Sequence, residues 1–267
     1  TAGQETLTID SGAGNVTFTG AIGLTNALGG LNVNATSGDG AGTITFSNDI
    51  GDSSAGVKGT TAVGNSATAG IVFSEDTYTF DTGTTTFTAV SSGDFDLNKG
   101  AATTFTTDGT AITFAGGEID LANGSDLVID TGAGAGAITT GEIGGDSTET
   151  VTIDAGTGTT SVGVIGTGTE IGTLKIGSAQ NGGITLNGAI TTDGVITIDG
   201  PITLATAAIT ITTADDNINL QGTVDGGKAL TLASGSGAVT VDGAIGSGTA
   251  LTALTVNSSG AGTIEIN

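Results

Sequence analysis

Along the whole chain, short runs alternate apolar and polar positions, and most of the polar ones are threonine. Leu7-Thr8-Ile9, Val16-Thr17-Phe18, Leu31-Asn32-Val33 and Thr43-Ile44-Thr45-Phe46 set the pattern, with SGAG, GLTNALGG and TSGDGAG between them. A period of two places Leu7, Ile9, Val16, Phe18, Leu31, Val33, Ile44 and Phe46 on one face and mostly threonine on the other, which predicts short half-buried strands. From Ile71 to Asp130 the runs begin mostly 7 to 10 residues apart, so three steps make a unit of about 24 residues. Farther on, the starts Leu127, Val151, Leu174 and Ile196 differ by 24, 23 and 22.

The period is also written as an internal repeat. Leu230 to Asn257 aligns without a gap on Leu7 to Asn34, with the same residue at 16 of 28 positions. A chain built this way is predicted to be all-β: a parallel β-solenoid with about three short strands per coil of roughly 22–24 residues. One turn alone leaves strand edges unpaired and an apolar face exposed, whereas stacked turns satisfy both. Roughly 11 or 12 coils at about 4.8 Å per strand spacing give a rod of about 55 Å. No composition shift marks a linker, so residues 1–267 are read as one domain. Only 51–70 (GDSSAGVKGTTAVGNSATAG) loses the beat, and an extended loop or irregular coil is expected there. Six of the eight Phe lie between positions 73 and 114, which predicts aromatic stacking from coil to coil inside the rod.

Composition agrees with this reading and narrows function. Fifty Gly and one Pro, with Thr, Ser, Asn and Asp between β-branched runs, suit many strands joined by tight turns, and almost no helix is expected. Apolar residues at 36% are too many for a core-poor disordered chain. Twenty-seven acidic residues against four Lys (Lys58, Lys99, Lys175, Lys228) and no Arg give a net charge of −23. Nucleic acid and anionic membranes need a basic footprint, so neither is an expected partner. No apolar run approaches a membrane span and no signal peptide opens the chain; Thr1 in place of Met is expected of a processed or excised piece.

The segments Gly222 to Ile264 and Val16 to Asn34 resemble the repeats of filamentous-haemagglutinin-type giant adhesins and related bacterial surface proteins. The likeness covers most of the chain, more loosely between Gly51 and Leu127. It implies a right-handed parallel β-helix, an extracellular or bacterial cell-surface location, and export across the outer membrane in an unfolded state. The family's N-terminal secretion domain is not among these residues.

Candidate chemistry is sparse. With no His, Cys or Arg, the chain lacks the parts for His-based triads, thiol chemistry, zinc sites and Arg phosphate clamps. Paired carboxylates at Asp94 and Asp96, Glu118 and Asp120, and Asp215-Asp216 could form a two-carboxylate glycosidase site, but one Tyr and no Trp leave no sugar platform. The expectation is no enzyme and no cofactor. Carboxylates and turn carbonyls suit weak, diffuse Ca²⁺ binding, with fragments of a calcium-repeat motif at Asp39-Gly40 and Gly145-Asp146. Threonine pairs (Thr17 and Thr19, Thr43 and Thr45, Thr210 and Thr212) are compatible with an ice-binding array but are also ordinary outward strand residues. Asn15, Asn34, Asn123 and Asn257 open sequons that could carry glycans.

The functional expectation is a protease-resistant structural module that stacks head to tail on itself into a filament, sheath or surface fibre. Leu7 and Ile9 would meet Leu254, Val256, Ile264 and Ile266 of the next copy. The alternative is a passive stalk segment of a giant secreted adhesin.

Overall fold

The computed structural model describes residues 3–35, 40–52, 54–178, 182–259 and 262–267. The chain is an all-β parallel solenoid of about ten turns. Among the described residues the only helical element is a three-residue 3₁₀ turn, Ala122–Gly124. Among these residues no helix is long and apolar enough to cross a membrane.

Each turn contributes one rung to each of three faces. The first face is a ten-stranded sheet from Thr6–Ile9 to Val224–Asp225, extended by Ile245, which bridges to Val224. The second begins with six strands from Val16–Phe18 to Ile143–Gly144. It continues through Ile165 into four more, from Ile190–Thr192 to Ala253–Asn257. The third opens with the bridged residues Ile22 and Ile50 and runs through nine strands, from Thr77–Thr79 to Ile264–Ile266.

Register follows from burial. Leu127, Val151, Leu174, Ile196 and Ile218 pair in succession on the third face, and all are fully buried. Slipping one residue would turn each of these side chains to solvent, so the inward column fixes the pairing. Coil length is freer. It runs from 18 residues (Ile184 to Ile202) to 30 (Leu31 to Thr61), because corners can loop out without disturbing the strands. That longest turn contains the first half of 51–70. Val57 there bridges Leu28 and Phe80, and Thr61–Val63 pairs with both neighbouring coils, so strand pairing reaches into this segment.

Corners repeat a small piece of chemistry. Where strands end, just before Asp10 and at Asp130 and Asp154, the aspartate carboxylate accepts the N–H two residues on, from Gly12, Gly132 and Gly156. These glycines sit at φ of 57°, 70° and 53°, the left-handed region that a side chain penalises. A hydroxyl at the same kind of corner donates to a carbonyl three residues on in Ser11, Thr107, Thr213 and Ser234. Hence Asp, Ser and Gly crowd between the strands: they satisfy backbone groups where the ladder stops.

The interior is aromatic in the first half. Phe18, Phe46 and Phe73 stack along the second face with centroids 5.0 and 5.7 Å apart. Tyr78 on Phe105 (5.1 Å) and Phe87 on Phe114 (5.2 Å) do the same on the other two. Edge contacts such as Phe73 to Phe105 at 4.9 Å join the columns. One departure from the expected inward Leu, Ile, Val and Phe is a set of inward threonines. Thr61, Thr85 and Thr160 occupy the column of Leu31, Ile112 and Ile138, and their buried hydroxyls have no hydrogen-bond partner. Their methyl groups fill the place of the aliphatic neighbours.

The two copies of the internal repeat fold alike but on different faces. Thr6–Ile9 lies on the first face and its copy, within Ala229–Ala233, on the second; Val16–Phe18 lies on the second and its copy Val239–Val241 on the third. Ile22 and its copy Ile245 are both isolated bridges, on the third and first faces. The C-terminal copy is therefore turned about the rod axis by one face.

Candidate functional site: the open ends and an acidic cleft

Among the described residues, the first and last rungs of every face have a strand neighbour on one side only. At the far end, Ile264 and Ile266 are 51% and 48% exposed, while their register partners Val239 and Val241 are fully buried. Leu254 is 37% exposed above a buried Leu230, and Val256 is half-buried. At the near end Leu7 and Ile9 are half-buried against the core. The structure thus brings Leu254, Val256, Ile264 and Ile266 to one end and Leu7 and Ile9 to the other. Sequence reasoning missed two near-end residues. Phe18 is half-buried and follows the same alternation as Val16, so it could have been found; Leu24, 49% exposed in the corner after Ile22, has no periodicity to reveal it.

A cleft of about 440 Å³ opens on the second face, lined by Ser91, Ser92, Asp94, Glu118 and Glu142 above Gly116, Gly117 and Gly141. Its floor is a glycine column, since a Cβ on Gly117 would overlap the Gly93 carbonyl oxygen of the preceding coil. Register places Glu118 beside Asp94 and Asp120 beside Asp96 on the outward side of the sheet. Desolvation, followed by the charge of Asp120 and Asp94, pushes the Asp96 carboxyl up. Desolvation and then Glu142, Asp94 and Asp120 do the same to Glu118, and desolvation with Asp94 to Asp120. The two carboxylate pairs proposed from sequence are therefore brought together into one stacked group. No aromatic platform faces them: Phe95 and Phe114 point into the core, and the single Tyr, Tyr78, is buried.

The remaining candidates are mostly structural. Asp215 accepts the N–H of Ser236 on the next coil, which makes it a corner brace. Asp146 accepts from the Thr148 hydroxyl, and side-chain hydrogen bonding with Glu149 and Thr148 holds its carboxyl low. Asp39 lies outside the described residues. Asp49, Glu75 and Asp76, unremarked in the sequence because they come from two coils, gather their carboxylate oxygens within 4.8 Å of one another. The Lys99 ammonium already pairs with Glu75 there, and Asp49 accepts the Thr77 N–H.

The outward file that begins Thr17, Thr45 continues as Val72 and Asp96, so it forms no flat threonine array. Asn34 is buried and bonded through its amide to Ser11, which removes that sequon from the surface of the folded chain; Asn15, Asn123 and Asn257 are exposed.

Compared with known protein families, curated proteins and solved structures, the chain matches none at a significant level.

Proposed function

We propose that this chain is a structural, non-catalytic β-solenoid module that stacks end to end on further copies into an extracellular filament, sheath or surface fibre. One observation carries the reading. Among the described residues the large exposed hydrophobics are Leu24, Leu254, Ile264 and Ile266, and all four lie at the ends. Open strand edges surround them, and an open edge with an apolar core is a template for another strand. A contact between unlike ends is non-closing and propagates as a fibre.

The magnitudes support a reversible contact. Covering a half-exposed Leu or Ile is worth about 1 kcal/mol, half the value for full burial, so the apolar end residues together supply roughly 5–7 kcal/mol. That is comparable with the roughly 4–15 kcal/mol cost of association, which leaves the ladder hydrogen bonds, at about 0.5–1.5 kcal/mol each, to tip the balance. Repulsion between chains of net charge −23 opposes contact at low salt, and divalent cations relieve it.

Sedimentation velocity and electron microscopy of the 267-residue chain test the reading. Concentration-dependent association and fibres are expected, and Ile264→Asp with Ile266→Asp should abolish both while leaving circular dichroism unchanged. A concentration-independent monomer without fibres, with or without salt and Ca²⁺, would overturn it in favour of a stalk segment whose coils continue in a longer polypeptide.

A further inference from the structure

We propose that the first face of the rod is a self-association surface, through which two copies of the chain pair side by side. The contact uses neither end of the rod and goes beyond the end-to-end reading.

Charge is missing from this face. Nine successive strands, from Thr6–Ile9 to Ile202–Leu204, hold no Asp, Glu or Lys, in a chain whose net charge is −23. The strands of the second face carry Asp94, Asp96, Glu118 and Asp120, and those of the third carry Asp130, Asp154 and Asp199. Two copies meeting through either of those faces would set like charges opposite one another, which suppresses the contact. A first-face contact turns these charges to the outer flanks of the pair. Corner acids such as Asp81 and Asp108 stand at its border, outside the strands, where salt screens them.

The side chains left on the face complement a second copy of themselves. Register lines up Thr86, Thr113, Thr139, Ser161, Thr185 and Thr203 as one outward file, about 4.8 Å from rung to rung. Among the described residues, the five threonine hydroxyls of this file have no hydrogen-bond partner, whereas on the third face Thr106 donates to Thr79. A hydroxyl both donates and accepts, so such a file can bond to an identical one, as a file of carboxylates cannot. Relief along the border is low as well. A Cβ on Gly59 would overlap the Gly29 carbonyl, and one on Gly158 that of Gly136, so no side chain rises at those corners. Flat sheets with small side chains pack face to face at about 10 Å.

Nine rungs of strands about four residues long outline a plane of roughly 40 by 13 Å, so a pair buries about 1,000 Å² in total. That only just reaches the size of a specific interface. The contact is therefore symmetric and transient, too small for a standing dimer, and covalent capture reads it.

The chain has no Cys, so one engineered thiol reports without background. Thr139 is exposed in the middle of the file, and Thr173 is equally exposed on the charged third face. Both thiols are placed in the Ile264→Asp/Ile266→Asp chain, so that end contacts play no part. With a short bis-maleimide, Thr139→Cys should yield a covalent dimer that Thr173→Cys does not. Adding Thr113→Asp and Thr185→Asp to Thr139→Cys should abolish the dimer while circular dichroism stays native. Equal capture at both thiols, or capture that survives the two aspartates, would overturn the pairing and leave the end-to-end reading untouched. Absence of capture at either thiol, when both still react with a monofunctional maleimide, would also overturn it and leave the face to another occupant.

Discussion

The same substitution, Ile to Asp, should have very unequal consequences at two positions of one column type, and the contrast tests the solenoid argument directly. Ile129 is fully buried, paired with Phe105 on one side and Ile153 on the other. Replacing it forfeits about 1.5–3 kcal/mol of side-chain burial and leaves a carboxyl without a partner in an apolar interior, a further ~1–3 kcal/mol even when it takes up a proton. The total, roughly 3–6 kcal/mol, is at the upper end of single-residue effects. Ile264 has the same inward role but is 51% exposed, so Ile264→Asp loses about 1 kcal/mol and its charge stays hydrated. Because a solenoid's stability is a sum of neighbour contacts, the central lesion should also divide the rod, whereas the terminal one should only fray it. Urea unfolding followed by far-UV circular dichroism gives the midpoints. Trypsin gives the location, since Lys99 and Lys175 flank Ile129 and should become cleavable in Ile129→Asp alone. Equal midpoints and equal trypsin resistance for the two variants would refute the reasoning.

Two further predictions concern the core and the acidic cleft. Thr85→Val should raise stability by about 1 kcal/mol, because the Thr85 hydroxyl is buried without a partner and valine keeps the shape, a gain readable as a higher urea midpoint; a lower midpoint would show that the hydroxyl is satisfied. Asp96, Glu118 and Asp120 have folded pKa values raised above their ordinary ones, so at these groups the folded chain holds protons that the unfolded chain releases. Their contribution to stability therefore grows as pH falls from neutrality toward the ordinary carboxylate range and is lost as pH rises through the raised values. Melting temperatures across that window should show the trend flattened in a variant with Asp96→Asn, Glu118→Gln and Asp120→Asn, and an unchanged slope would exclude the stacked carboxylates as its source.

Much of this molecule was legible in its sequence because a solenoid is nearly one-dimensional: neighbours in space are residues one coil apart, and a period near 23 already names them. Alternation identified the inward column from Leu7 to Val241, the aromatic stack, and the end residues Leu7, Ile9, Leu254, Val256, Ile264 and Ile266. The Asp-x-Gly and Ser-Gly corners announced their turns through the φ > 0 that glycine supplies. What the sequence could not determine is everything that depends on how many residues each corner absorbs. Coil lengths of 18 to 30 residues decide which carboxylates meet, so Asp49 joined Glu75 and Asp76, and Asp94 joined Glu118, only once register was known. Inward threonines such as Thr85 read as outward ones until packing showed which side they face. The repeat itself, plain at 16 of 28 positions, gave no sign that its copies lie on different faces. Local pattern determines which side of a strand points inward, whereas the summed path through every corner, a property of the whole tertiary structure, determines the face on which that strand arrives.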